Sequence, residues 1–174
     1  MTQVRKANSS DAEAIRKVHL AAFPDSESAL VSTLAVDLLS EEETLSLLGL
    51  NGEVVVAHVA FSPVTISGSD NLQAAILAPL GILPAYQKQG LGTQLTQQGM
   101  DILKAQGVHL LFVYGDPAYY GRFGFTNNGA DVFTPAFPLE YPFGWQVVSL
   151  NSSQLPSESC ELSFVQPLSN PALW

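Results

Sequence analysis

The sequence predicts an α/β chain with a mixed central sheet of about seven strands flanked by helices. Three observations carry this expectation. Apolar residues recur at helical spacing in two N-terminal stretches and one central stretch, apolar β-compatible runs lie between them, and one run passes directly into glycines that open a helix.

Val4 to Ala7 reads as a short strand. Asn8-Ser9-Ser10-Asp11 then offers helix caps, and Ala14, Ile15, Val18 and Ala22 mark a first helix over Asp11 to Ala22. Pro24 breaks it, and Ala29, Leu30, Leu34 and Leu38 mark a second helix that ends before the solvated turn Glu41-Glu42-Glu43. Thr44 to Leu50 and Glu53 to Val64 are apolar runs around Asn51-Gly52, a strong hairpin signal. Ser67 to Asn71 reads as a second hairpin loop. Leu72 to Leu83 suits a strand buried on both faces, in which Pro79 lacks a ladder donor and implies a bulge or a splayed edge. Leu91, Leu95, Ile102 and Leu103 share one side of a helix that Gly107 terminates, and Val108 to Tyr114 follows as a buried strand. Asp116 before Pro117 is a cap and first-turn pair, so Ala118 to Phe123 forms a short helix closed by Gly124. From Asp131 onward prolines divide the chain around a strand over Gly144 to Leu150.

Length and composition bound the function classes. With 174 residues and 47% hydrophobic content, a single domain over residues 1 to 174 is expected. Seven basic against sixteen acidic residues give a net charge of −9, which disfavours nucleic-acid partners. No apolar run reaches membrane-spanning length and no secretory leader precedes Asn8, so the expected location is cytoplasmic and away from membranes. Cys160 stands alone, and His19, His58 and His109 lack metal-ligand spacing; no metal is expected.

The stretch that carries chemistry is Ile82-Leu83-Pro84-Ala85-Tyr86-Gln87-Lys88-Gln89-Gly90-Leu91-Gly92-Thr93. A strand running into glycines that start a helix leaves backbone N–H groups unpaired at the positive end of the helix dipole, which suits a pyrophosphate. Gly90 and Gly92 allow close approach and unusual backbone angles, and Thr93 and Lys88 supply side-chain contacts. An ordinary strand-to-helix turn explains the two glycines equally well. The patterns of nucleotide-triphosphate and dinucleotide loops are absent.

Gln87-x-x-Gly90-x-Gly92 between strand and helix resembles the acyl-CoA pyrophosphate motif of the GNAT superfamily of N-acetyltransferases. Tyr120-Gly121-Arg122-Phe123-Gly124-Phe125 resembles its late Y-x-x-x-G-F element. The longer run from Gly115 to Phe125, with Pro79 to Pro84 and Ser62-Pro63-Val64, is similar to a branch of predicted N-acetyltransferases. The similarity covers residues 2 to 127 and leaves the segment from 131 to 174 less specific.

The resemblance implies the GNAT-type acyl-CoA N-acyltransferase fold, with acetyl-CoA as acyl donor and a primary amine on a small molecule or peptide as acceptor. Transfer would proceed by direct attack in a ternary complex. The backbones of Ile82 and Leu83 would pair with the pantetheine arm like an added strand, which gives Pro79 a role in freeing strand edges. After Gln87, the backbone N–H groups of Gln89, Gly90, Leu91, Gly92 and Thr93 would bind the pyrophosphate, and Lys88 an outer phosphate. The Leu83 N–H is the expected donor to the developing oxyanion. Tyr120, with a reference pKa of ~10, matches the general acid, with Tyr119 as competitor. A core or capping tyrosine is the bland alternative for both.

The Leu72 to Leu83 strand lacks the carboxylate that some superfamily members place there. His58, with a reference pKa of ~6.5, is then the candidate base, against the alternative of a satisfied core histidine. Asp25 and Glu27, read as lying between the first two helices, would line the acceptor site or form a solvated loop. Two other classes stand beside the enzyme: a catalytically silent acyl-CoA-binding or sensing module, and a structural partner-binding domain in which the glycine loop is just a turn. The apolar tail with Phe133, Phe137, Tyr141, Phe143, Trp145 and Trp174 would complete a neighbour's sheet in a homodimer or cover the chain's own.

Overall fold

The computed structural model describes residues 2–174; Met1, the first residue of the expected domain, lies outside the described residues. The elements run β1 (Thr2–Lys6), α1 (Ala12–Ala22), α2 (Asp25–Leu38), β2 (Leu45–Asn51), β3 (Val54–Ile66), β4 (Ala74–Ile82), α3 (Leu91–Ala105), β5 (Leu110–Tyr114), α4 (Pro117–Tyr120), β6 (Phe133–Thr134), β7 (Trp145–Ser149) and β8 (Cys160–Phe164). The strands form an eight-stranded, mostly antiparallel sheet flanked by helices, in the order β1-β2-β3-β4-β5-β7, with β8 paired to β3 and β6 to β8. The expected mixed α/β sheet is therefore present. The described chain divides into two compact units, one within residues 2–62 with 78–99 and one of residues 63–77 with 100–174, so β3, β4 and α3 each contribute to both.

In the first unit, β1 pairs antiparallel with β2 from Thr2↔Asn51 to Lys6↔Leu47, and β2 pairs with β3 through the Asn51-Gly52 turn, where Gly52 takes φ +62°. The register shifts at Gly49/Leu50. Ile15, Ala35, Leu48 and Leu50 form a cluster between the first two helices and the strands. Asp11 closes a capping box with Asn8 and receives two hydrogen bonds of 2.8 Å from Arg5, which ties β1 to the start of α1. Helix α2 starts at Asp25 instead of near Ala29, because Pro24 stands just before its first residue and ends α1 without preventing the next helix. Asp25 and Glu27 therefore lie exposed in the first turn of α2, where their negative charges complement the positive end of the helix dipole, and not in a connecting loop.

Two glycines set the position of α3 in this unit. A Cβ on Gly99 would collide with the Phe61 ring, and one on Gly49 would lie 3.2 Å from Leu91. The helix thus lies close against β3 at Gly99, while its first residue packs on β2.

In the second unit, β4 and β5 run parallel from Ala74↔Leu110 to Leu77↔Val113, while β4 itself runs on to Ile82. The Ala78-Pro79 peptide bond is cis. Antiparallel β7 extends β5 from Leu110↔Ser149 to Tyr114↔Trp145. Phe112 stacks on Trp145 at 5.2 Å and meets Phe133 edge-on at 4.9 Å, while Trp174 stacks on Phe164 and donates Nε1 to Leu168. Three of the tail aromatics, Phe133, Trp145 and Trp174, are thus buried by their own chain, whereas Tyr141 and Phe143 are exposed. Strand β8 was not among the expected strands; its signal is the alternation Cys160-Glu161-Leu162-Ser163-Phe164, whose burial also alternates through Ser163. No helix among the described residues is long and apolar enough to cross a membrane.

Candidate active site

The glycine loop belongs to the first unit and is built by backbone conformation. After β4 a 3-10 turn over Pro84–Tyr86 leads to Lys88 with φ +59° and Gly90 with φ +84°. A left-handed residue is cheap for glycine and costly for lysine, so strain is concentrated at Lys88. Gln87 and Gln89 brace the turn from within, donating Nε2 to the carbonyls of Ile82 and Ala85, each at 3.0 Å. The first intrahelical bond of α3 is Gln94 N–H to the Gly90 carbonyl at 2.9 Å. The N–H groups of Leu91, Gly92 and Thr93 consequently precede the helical ladder and remain available to an anion. Gly92 itself is a buried helical residue without a left-handed backbone, so only Gly90 uses glycine's conformational freedom. Lys88, Gln89, Gly90 and Thr93 are exposed.

The oxyanion assignment for Leu83 needs correction. Its N–H donates to the Val56 carbonyl at 2.9 Å, and its own carbonyl accepts from Tyr86 N–H at 2.8 Å. A ladder donor cannot also be aimed at developing charge, so the absence of an N–H at Pro84 does not free this one.

His58 lies on β3 with no solvent exposure. Its Nε2 lies 2.6 Å from Ser46 Oγ on β2, and its Nδ1 lies 2.8 Å from His19 Nε2 on α1. Both ring nitrogens of His58 are engaged, so it touches a ligand only through its neighbours. His19, also fully buried, leaves Nδ1 without a hydrogen-bond partner. A Cβ on Gly81 would lie 2.6 Å from that atom, so β4 has no side chain where the imidazole packs. In the sequence His19 stands out only as one of three histidines without metal-ligand spacing. Its signal was a polar residue inside the buried stripe of α1 beside Ile15 and Val18.

Burial pushes His19 down to about 4, and burial followed by the nearby His19 charge pushes His58 well below its ordinary value. Neither imidazole has a carboxylate partner to reverse this. The unfolded chain takes up protons near pH 6.5 that folded His19 takes up only near 4, so stability falls as pH drops through that window. We expect urea unfolding to show a loss on the order of 3 kcal/mol between pH 7 and pH 4 from His19 alone. Replacing His19 and His58 by Gln should flatten this slope, and an unchanged slope would mean the pair is not buried neutral.

In the second unit Asp116 caps α4 by accepting from Ala118 N–H at 2.9 Å, and Gly124 closes the following 3-10 turn in the left-handed region. The Tyr120 ring packs so closely on Gly115 that a Cβ there would lie 2.6 Å from Cε2, and Phe125 meets it edge-on at 5.8 Å. Burial, and then Tyr119, push the Tyr120 phenol well above its ordinary value, which keeps its proton in place at neutral pH. Tyr119 has a different environment: the Arg122 guanidinium lies 4.4 Å from its ring centre. Adjacent in sequence, the two tyrosines have rings at 87° to one another. Among the described residues no group of three His, Cys, Asp or Glu side chains is placed to hold a metal ion.

A mixed sheet whose central strand leads through a braced glycine turn into an open helix start, followed by strand and Tyr-bearing short helix, is the arrangement of the GNAT family. The chain belongs to this family: residues 3–127 match the acetyltransferase (GNAT) domain. Over 151 residues it is 36% identical to the uncharacterized N-acetyltransferase YjhQ of Escherichia coli K12, covering 84% of this chain and 83% of that one. The GNAT family N-acetyltransferase YhbS of Escherichia coli, solved in complex with CoA, superposes with a TM-score of 0.86 at 30% identity, covering 97% and 92% of the two chains. A GNAT family acetyltransferase from Brucella melitensis, solved with acetyl-CoA, gives 0.72 at 26% identity, covering 97% and 99%.

Proposed function

We propose that the protein transfers the acetyl group of acetyl-CoA to a primary amine, by direct attack within a ternary complex. The observation that carries this reading is the start of α3, where the N–H groups of Leu91, Gly92 and Thr93 precede the first helical hydrogen bond, behind a turn held by Gln87 and Gln89. These donors suit the pyrophosphate of a CoA ester, and Lys88 stands exposed beside them for a further phosphate. Relatives solved with CoA and acetyl-CoA support the same choice of ligand. Ile82, at the end of β4, is the strand residue assigned to the pantetheine amides; Leu83 follows it with its N–H already committed. Tyr120 holds its proton until the sulfur departs and then donates it to the thiolate.

Thermal unfolding with and without acetyl-CoA tests the first half of the proposal. Binding to the native state alone raises apparent stability by RT ln(1 + [L]/Kd), about 2.7 kcal/mol at a hundredfold excess over Kd. No shift would reduce the glycine loop to a turn. Thiol release against a panel of small-molecule and peptide amines tests the second half: binding without release would mark a silent acyl-CoA sensor.

A further inference from the structure

We propose that His19 is the base that takes the proton of the acceptor amine, with His58 and Ser46 as the residues that position it. This rests on the amine-acetylation reading above and deepens it. Strand β4 brings no carboxylate to the site, and at position 81 it brings no side chain at all. The space that a side chain there would enter is filled from α1, with His19 Nδ1 2.6 Å and Cε1 2.7 Å from the ideal Cβ position. Gly81 immediately precedes Ile82, the residue assigned to the pantetheine arm. A basic nitrogen is thus supplied to β4 by a helix.

The proton order follows from the hydrogen bonds. Either Ser46 donates to His58 and His58 to His19, or His19 Nε2–H donates to His58 Nδ1 and His58 Nε2–H donates to Ser46 Oγ. The first order leaves a buried N–H on His19 Nδ1 with no acceptor, and the second leaves a bare lone pair there. An orphaned donor is the rarer of the two in folded chains, so the second order is favoured. In this order His58 Nδ1 accepts and holds His19 as the Nε2–H tautomer, while the Ser46 hydroxyl, able to donate or accept, takes the His58 Nε2–H. His19 meets His58 from β3, Gly81 from β4 and the Phe23 ring, stacked at 5.8 Å and 25° where α1 ends. Of these only His58 titrates, and no carboxylate of α1 or α2 contributes to the charge of either imidazole. Phe23 is half-buried, so the stacked ring that covers the imidazole itself reaches the surface.

The step balances. A neutral amine attacks the thioester carbonyl carbon, the C–N bond forms and the C–S bond breaks. Burial makes His19 a weak base, near 4, but the nitrogen once bonded to that carbon is far more acidic than a free ammonium, and its positive charge then lies beside the imidazole; its N–H proton passes to the neutral His19 Nδ1. The sulfur takes the Tyr120 proton. As products leave, His19 returns its proton to water and water restores the one on Tyr120.

The experiment compares the wild type with His19→Ala and His19→Gln, measuring thiol release with the best primary amine and acetyl-CoA affinity by calorimetry. We expect both variants to bind acetyl-CoA as the wild type does and to lose about 10²-fold in kcat. Added imidazole should restore turnover in His19→Ala, following the neutral fraction of imidazole as pH rises. Retained kcat in either folded variant overturns the proposal, as does a loss that neither imidazole relieves nor pH reshapes, or one matched by lost acetyl-CoA binding. A wild type that binds acetyl-CoA yet acetylates no amine overturns the functional reading itself, a result distinct from these.

Discussion

Tyr120→Phe is expected to lower kcat by on the order of 10²-fold while changing acetyl-CoA affinity little. The side chain is packed by its ring, against Gly115 and Phe125, and Phe preserves those contacts. What is lost is the hydroxyl proton; a phenol keeps it at neutral pH in any case, and burial, which raises the phenol further, leaves a strongly basic thiolate as the acceptor it requires. A donor of this kind matters most as the thiolate departs, so the effect belongs to the chemical step and not to binding. Tyr119→Phe should cost much less, since its ring carries Arg122 and stands at 87° to Tyr120. Single-turnover and steady-state rates at saturating substrates check this, the former because slow product release would hide a change in chemistry. Near-full single-turnover rates in Tyr120→Phe would remove the assignment.

Gly92→Val is expected to weaken acetyl-CoA binding by about tenfold or more, equivalent to ~1.4 kcal/mol, in a protein that still folds. Gly92 is the second residue of α3 and is buried, with the exposed Thr93 beside it. Cα–Cβ bonds in a helix tilt toward its N-terminus, so a branched side chain at this position leans over the unpaired N–H groups of the first turn. Valine is no worse than glycine as a helix former, so the helix has no intrinsic reason to melt. Isothermal calorimetry reads the loss and circular dichroism checks the fold. Equal affinity in a folded variant would mean that the helix start is not the pyrophosphate cradle.

The parts of this protein legible in the sequence are those whose physics is local. The Asn51-Gly52 hairpin, the Asp116-Pro117 cap, the Gly124 terminator and the turn from β4 into α3 each depend on a few consecutive residues, and all stand where expected. The cofactor loop is one unbroken stretch, so its spacing alone pointed to an anion at a helix start. Pro24 was read as a longer break than it is, because a proline that ends one helix also suits the entry to the next.

Tertiary structure alone decided which nitrogens and N–H groups are free. His19 and His58 are 39 residues apart and Ser46 and His58 are 12 apart, so no spacing rule joins them; they meet because α1, β2 and β3 pack in one unit. The same packing commits Leu83 N–H to Val56 and leaves His19 Nδ1 unpaired against Gly81. Local conformational preferences act between chain neighbours and can be read in order along the sequence. Burial and hydrogen-bond satisfaction depend on whatever the fold brings within about 3 Å, and that is settled only when the elements have packed.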